Sequence, residues 1–408
     1  MVSIRDREIM RSLAEKARTI AQLPEMAERK KRWISFNALK PERPMILCNP
    51  EGAWIELLPE KELLCEDEQL RQWEGQLRSS IYQWEHLRDD KIIEPWFDIN
   101  RSVEISGYGV ESRIEQGEGR GSYKLDHPIK DIVKDFDKLR YRNLCFNREK
   151  TDRDLSLAGE IFGDILPVRI RGSFWWTLGL TYEAIKLIGL ENLMLYMYDE
   201  PENLHRLMAW LRDENSNYIS WIEENGLLSL NNGNDCIASG GLGYSDELPG
   251  REWEEGDKVL LKDLWGFAES QETVGISPAM FAEFILPYQM PLLEKFGLNC
   301  YGCCEAIHER WKYISTIPRL RRISISPWCN QEIMANALGK NYIFSRKPHP
   351  TLVCTGFDED AIRKDLRNTL DLTKGCVVEI IMKDTHTVQN EPWRLTEWVR
   401  IALEEVSR

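Results

Sequence analysis

Short apolar runs, each closing on a polar turn and most followed by a helical stretch, recur along this chain near residues 46, 168, 228, 262, 299, 324, 343 and 379. Met45-Ile46-Leu47-Cys48 stops at Asn49-Pro50, and Leu166-Pro167-Val168-Arg169-Ile170-Arg171 stops at Gly172-Ser173. Leu227 to Leu230 gives way to Asn231-Asn232-Gly233-Asn234-Asp235, and Val377 to Met382 to Lys383-Asp384-Thr385-His386. Runs of this length without polar alternation mark strands buried on both faces, as parallel sheets require. Parallel strands need crossovers, and the helical stretches supply them. Eight such units predict an α/β fold, a (β/α)8 TIM barrel.

The helical stretches carry their own punctuation. Residues 1–40 read as an N-terminal helical extension, with apolar positions at helical spacing up to Trp33, ahead of a barrel domain over 41–408. Residues 65–90 form a helix with the stripe Trp73, Leu77, Ile81 and Trp84. Further helices are expected from Tyr182 to Met197, from Pro201 to Glu224, after Ser277-Pro278, over 358–373 and after Pro392. The region 91–150, with Gly107, Gly109, Gly117, Gly119 and Gly121 and a charged run from Asp131 to Arg140, reads as a cap or insertion after the first strand. Gly240-Gly241-Leu242-Gly243 has half of a dinucleotide fingerprint but not its strand-to-helix setting, so a flexible rim loop is expected there.

Charge narrows the partners. The chain has 67 acidic and 53 basic residues, a net charge of −14, and no basic block, which excludes a phosphate-backbone partner and leaves small molecules or proteins. No apolar run approaches the ~20 residues that span a bilayer, and the charged amphipathic start does not read as a signal peptide. A cytoplasmic protein is expected. The ten cysteines follow no secretory signal, so reduced thiols are the expectation.

In a barrel, chemistry gathers at the carboxyl ends of the strands. Here the stretch Leu298-Asn299-Cys300-Tyr301-Gly302-Cys303-Cys304-Glu305 runs from apolar residues into two thiols and a carboxylate. Cys303, Cys304, Glu305 and His386 carry the atoms that zinc binds. Adjacent strand residues point to opposite faces, so both thiols reach one metal only if Gly302 has already turned the strand into loop. The alternative is one core thiol and one free pocket thiol. Glu269 and Gln271, two residues apart after Trp265, are placed to share one bound group, and an apolar setting would raise Glu269's pKa toward proton donation. The plainer alternative pairs Glu269 with Lys347 or Lys383. Asp384 is a candidate to orient His386 as a catalytic pair, against a solvated loop. Arg171, Trp175, Trp176, Asn231, Asp235, Trp265, Tyr301, Trp328, Lys347 and Lys383 follow or end strands and are candidate substrate-binding residues.

The segment ENLMLYMYDEPENLHRLMAWL, residues 191–211, resembles one shared by the uroporphyrinogen decarboxylase superfamily. The strand order from residue 165 onward is similar to that superfamily's barrel, and the likeness covers most of residues 40–408. Where its decarboxylases carry an arginine-rich loop, this chain has Asn49-Pro50-Glu51-Gly52-Ala53-Trp54. Where its methyltransferases carry a His-x-Cys ligand pair, this chain has Tyr301-Gly302-Cys303, and His386 stands nearest the third ligand, a cysteine in that branch. The resemblance implies a methyltransferase of a corrinoid-dependent demethylation system. It would move a methyl group between a small methylated substrate and a separate corrinoid protein, with zinc as an implied cofactor. The corrinoid-binding pattern Asp-x-His-x-x-Gly has Gln389 at its glycine, and nineteen residues follow, so the corrinoid is expected on the partner. Two other readings stay open. One is a metal-free decarboxylase or lyase using Arg171, Arg346, Lys347 and Lys383; the other is a non-catalytic corrinoid- or tetrapyrrole-binding protein.

Overall fold

Strands in parallel pairs carry the architecture in a computed structural model that describes residues 2–116 and 123–408. They are β1 (Met45–Cys48), β2 (Phe97–Asn100), β3 (Val168–Arg171), β4 (Trp265–Ala268), β5 (Leu298–Tyr301), β6 (Leu320–Ile325), β7 (Ile343–Arg346) and β8 (Val377–Met382). Six form one parallel sheet in the order β1-β8-β7-β6-β5-β4, and β2 pairs with β3 in a second. Every residue of β1, β4, β5, β7 and β8 is buried, which is why these segments read as unbroken apolar runs. On β8, Val378, Ile380 and Met382 pack with the surrounding helices, while Val377 and Ile381 face the opposite way.

Two expected strands are corrected. Leu227 to Leu230 joins no sheet; instead the Asn231 side chain donates to the Trp265 carbonyl (3.0 Å) and accepts from the Trp265 N–H (2.9 Å). One amide group thus meets the edge of β4 as a strand's backbone would. The run near 262 begins with a tight turn, Leu261–Asp263, closed by the Asp263 carboxylate accepting from the Leu260 N–H at 2.9 Å, so the strand starts only at Trp265. Conversely, β2 lies inside the 91–150 region read as an insertion. The rest of that region includes two antiparallel ribbons, Val103–Ile105 with Leu144–Phe146 and Arg113–Gln116 with Tyr123–Asp126. Gly117, Gly119 and Gly121 lie outside the described residues.

Glycine and proline set the helix breaks. The stretch expected from Tyr182 to Met197 is two helices, Thr181–Ile188 and Leu190–Asp199, parted at Gly189 with φ +89°. The N-terminal stretch is α1 (Ile4–Ala21), capped by the Ser3 side chain, and α2 (Pro24–Asn37), opened by its proline. Met10, Ala14, Trp33 and Phe36 of these helices share one apolar cluster with Met45, Leu47, Ile343, Val377 and Ile381, so they pack against the strands. Among the described residues, no helix is long and apolar enough to cross a membrane.

The glycine-rich segment is not a rim loop. Cys236–Ile237 pairs antiparallel with Gly241–Leu242, and residues 237–245 are buried. A Cβ on Gly241 would stand 2.7 Å from the Arg322 guanidinium, and one on Gly243 would stand 2.0 Å from the Asn231 carbonyl oxygen. The Asn37 amide of α2 donates to the carbonyls of Leu242 (3.0 Å) and Tyr244 (2.6 Å). Glycine is needed here because backbone, not side chain, fills the space beside the Arg322–Glu379 ion pair, itself 2.9 Å long.

Candidate active site

The chain turns sharply at the end of β5. Gly302 has φ +95°, a conformation that frees the next residues from strand alternation. The two thiols consequently meet, with Cys303 Sγ 3.8 Å from Cys304 Sγ. Glu305 fastens the turn: its Oε2 accepts from the Cys303 N–H at 2.8 Å and its Oε1 from the Ser270 N–H at 2.9 Å. Cys303 is buried and Cys304 partly exposed.

Three groups favour charge on Cys303. The hydrogen bond from Cys304 does most to lower its pKa, burial opposes it, and the Lys383 ammonium and the Ser239 hydroxyl add to the lowering. Ser239 Oγ donates to Cys303 Sγ at 3.4 Å from within the buried hairpin. Cys304 is pushed the other way, chiefly because its proton is held in that same bond. Lys383 Nζ lies 3.2 Å from Asp384 Oδ1 and 3.5 Å from Glu51 Oε1. Burial works against its charge, but Cys303, Glu51 and Asp384 outweigh burial and hold its pKa above the ordinary lysine value. Both carboxylate residues have positive φ, +57° at Asp384 and +50° at Glu51, and the Asp384 N–H donates to Glu51 Oε2 at 2.8 Å. Non-glycine residues in that region are uncommon and gather at functional sites.

A second cation lies deeper. Lys347 Nζ donates to the Ser345 carbonyl (3.0 Å) and hydroxyl (2.5 Å), and Ser345 Oγ donates in turn to Glu379. Burial pushes Lys347 down to about 8, against the opposing pull of Glu379. A lysine with that value exchanges protons near neutral pH.

Other expected site residues are placed differently. Glu269 is fully buried; its Oε2 accepts from the Gln271 N–H at 3.0 Å, and Gly179 leaves no room for a Cβ beside its Oε1. Burial first, then Glu272 and Glu305, push its pKa well above the ordinary carboxylate value, which favours the protonated form of this enclosed acid. Gln271 meets it through its backbone N–H, in the turn Gln271–Thr273. Tyr301 turns toward the helices, its hydroxyl donating to Gln289 Oε1 at 2.8 Å, and therefore does not face a ligand cavity. His386 is exposed and packs behind Gly52, while Asp384 pairs with Lys383 rather than orienting His386.

Zinc could draw on only part of this donor set. Two thiolates on a tetrahedral zinc with bonds of about 2.3 Å stand roughly 3.8 Å apart, which the pair satisfies. The remaining donors do not follow: both Glu305 oxygens hold backbone N–H groups, and among the described residues no group of three His, Cys, Asp or Glu side chains could hold a metal ion. The residues do not fit a catalytic zinc with three protein ligands. The cation that accompanies the thiol is Lys383.

Beyond the hairpin opens a cavity of about 580 Å³ with Phe174, Trp175, Trp176, Trp265 and Phe267 in its walls. Trp176 is half exposed and its indole donates to the Ala238 carbonyl at 3.3 Å, one residue before Ser239. Trp265 also has a structural bond, its indole donating to the Gly243 carbonyl at 2.9 Å. Arg171 and Asp235 line the same cavity as an ion pair, and Asn231 lines it while binding β4. Trp328, 62% exposed, stands edge-on to His349, away from the walls of the 580 Å³ cavity.

Sequence reasoning missed Ser239 and Glu51. Ser239 directly precedes Gly240-Gly241, and the need for close backbone approach was the available signal. Glu51 lies just past β1, where the rule that strand ends carry chemistry points. Comparison with models of known protein families and with curated proteins gives no match.

Proposed function

We propose that this chain is a methyltransferase of a corrinoid-dependent demethylation system, moving a methyl group between a small methylated substrate and a separate corrinoid protein. The observation that carries the reading is Cys303, a thiol favoured as thiolate by Cys304, Ser239 and Lys383 at the carboxyl end of a parallel strand. A cytoplasmic setting, with reduced thiols, belongs to the same proposal.

We further propose that the two parallel sheets close into a (β/α)8 barrel. Two bridges support it. The Gly172 N–H donates to Ser229 Oγ at 2.9 Å, and Asn231 binds β4, so residues 229–231 link β3 to β4. On the other side, the Asp90 N–H donates to the Ile46 carbonyl at 2.9 Å, joining the chain just before β2 to β1. Closure would place Cys303 and Lys383 at one mouth.

In this reading the Cys303 sulfur forms a bond to the methyl carbon as the bond from that carbon to its donor atom breaks. The electron pair stays with the donor atom, which takes a proton from the Lys347 ammonium. Lys383 keeps the thiolate available beforehand. The partner's corrinoid supplies the cobalt chemistry at the other end of the transfer. The metal-free decarboxylase reading needs unpaired cations, and Arg171 is already on Asp235 while Arg346 has Asp365 at 3.5 Å.

Methylcobalamin is the probe. Incubation should add about 14 Da to the peptide holding Cys303, with matching loss of the methylcobalamin absorbance, and Cys303→Ala should do neither. Equal consumption by Cys303→Ala, or methylation elsewhere, would sink the proposal. Stoichiometric zinc lost on the same substitution would overturn its metal-free form.

A further inference from the structure

We propose that Cys303 and Cys304 form a redox-active vicinal dithiol, closing into a reversible disulfide when a peroxide reaches the site. This goes beyond methyl transfer, although it uses the same sulfur. The sulfurs already stand 3.8 Å apart and are the one pair of cysteine sulfurs in contact among the described residues. The turn at Gly302 that brings them to one side is held by Glu305, whose carboxylate binds the Cys303 N–H within the turn and the Ser270 N–H just past β4, so the sulfurs are already on one side. Cys304 is partly exposed, which gives a small oxidant a route to the pair.

The chemistry balances with hydrogen peroxide as oxidant. The Cys303 sulfur attacks one peroxide oxygen, the O–O bond breaks, and water leaves once protonated, giving a sulfenic acid. Cys304 then attacks the Cys303 sulfur, expelling a second water as its own proton is lost. Two thiols give up two electrons, and one peroxide becomes two waters.

Adjacency makes the product labile. Neighbouring Cα atoms across a trans peptide are about 3.8 Å apart, below the roughly 4.4–6.8 Å usual for disulfides. Such a ring stores strain and is readily reduced, as suits a switch rather than a staple. While closed, it leaves Cys303 without a thiolate.

Peptide mass spectrometry of the full chain tests this apart from any methyl-transfer assay. After treatment with one equivalent of hydrogen peroxide and alkylation, the peptide with both cysteines should lose about 2 Da, take up no alkyl group, and recover both alkylation sites after dithiothreitol. In Cys304→Ser, dimedone should instead trap a sulfenic acid on Cys303. The proposal is overturned if the wild-type peptide keeps both alkylatable thiols while other cysteines oxidise. It is equally overturned if Cys303 goes to sulfenic or sulfinic acid with Cys304 still free.

Discussion

Replacing Lys347 by Met should make the protein more stable near neutral pH while removing the proposed proton donor. Lys347 is 3% exposed, and its pKa falls from 10.5 to about 8 on folding. The sign follows from proton counts. Between those two values the unfolded chain binds a proton that the folded chain releases, so stability rises with pH across that window. Below about 8 the folded state bears the whole cost of burying the charge, about 3 kcal/mol for a fall of this size. Methionine keeps the stem's volume and removes the charge, and the Arg322–Glu379 pair remains at 2.9 Å to neutralise the carboxylate. Set against the gain are two lost hydrogen bonds to Ser345, about 1 kcal/mol each. The net gain at pH 7 is about 1 kcal/mol. The difference between variant and wild type is more telling, because other titrating groups cancel in it. It should fall by about 2 kcal/mol between about pH 7 and pH 9.5, so that the variant passes from about 1 kcal/mol more stable to about 1 kcal/mol less stable than the wild type. Urea denaturation of both proteins at the two pH values measures it. A difference that stays constant with pH would refute the assignment of a low-pKa lysine, whatever its size.

Gly241→Ala should lower stability by about 1–3 kcal/mol through overpacking against Arg322, whereas Gly75→Ala, in a helix with nothing within 4 Å of its Cβ, should raise it by about 0.5–1 kcal/mol. Denaturation midpoints of opposite sign are the expected pair, and an unchanged midpoint for Gly241→Ala would mean the hairpin is not wedged there. Glu269→Gln should stabilise at pH 7. The raised pKa means the folded state keeps a proton that the unfolded chain gives up above the ordinary carboxyl value, so wild-type stability falls as pH rises through that window, and the variant should lose that part of the slope. Midpoints at about pH 5 and pH 7.5 check this; parallel curves would show an ionised Glu269.

Strand runs such as Val377–Met382 were legible because burial on both faces erases polar alternation, and the observed β8 has those bounds. Phe97–Asn100 was not, because Asp98 and Asn100 interrupt its apolar pattern and Asp98 pairs with Arg169 at 2.8 Å, information that is tertiary. The false strand at 227–230 was apolar enough, yet Asn231 meets β4 with its side chain, a substitution for backbone that no periodicity announces. At the site, Cys303, Lys347 and Lys383 were marked by position alone. The raised pKa of Glu269 was legible from its apolar setting, but the side on which Tyr301 and Glu269 sit was not, because a residue at a strand end can face the helices as well as the mouth, and that depends on partners such as Gln289, which donates to the Glu269 carbonyl at 2.9 Å and accepts from Tyr301.

The hydrogen bond from Ser239 and the charge of Lys383 reach Cys303 from opposite directions along the chain, one from the hairpin and one from just past the last strand. A ribosome-bound chain that has made β5 but not β8 therefore carries Cys303 without the cation that helps hold it as a thiolate. The part that Lys383 plays in lowering the Cys303 pKa therefore arises only once the segment after β8 has docked.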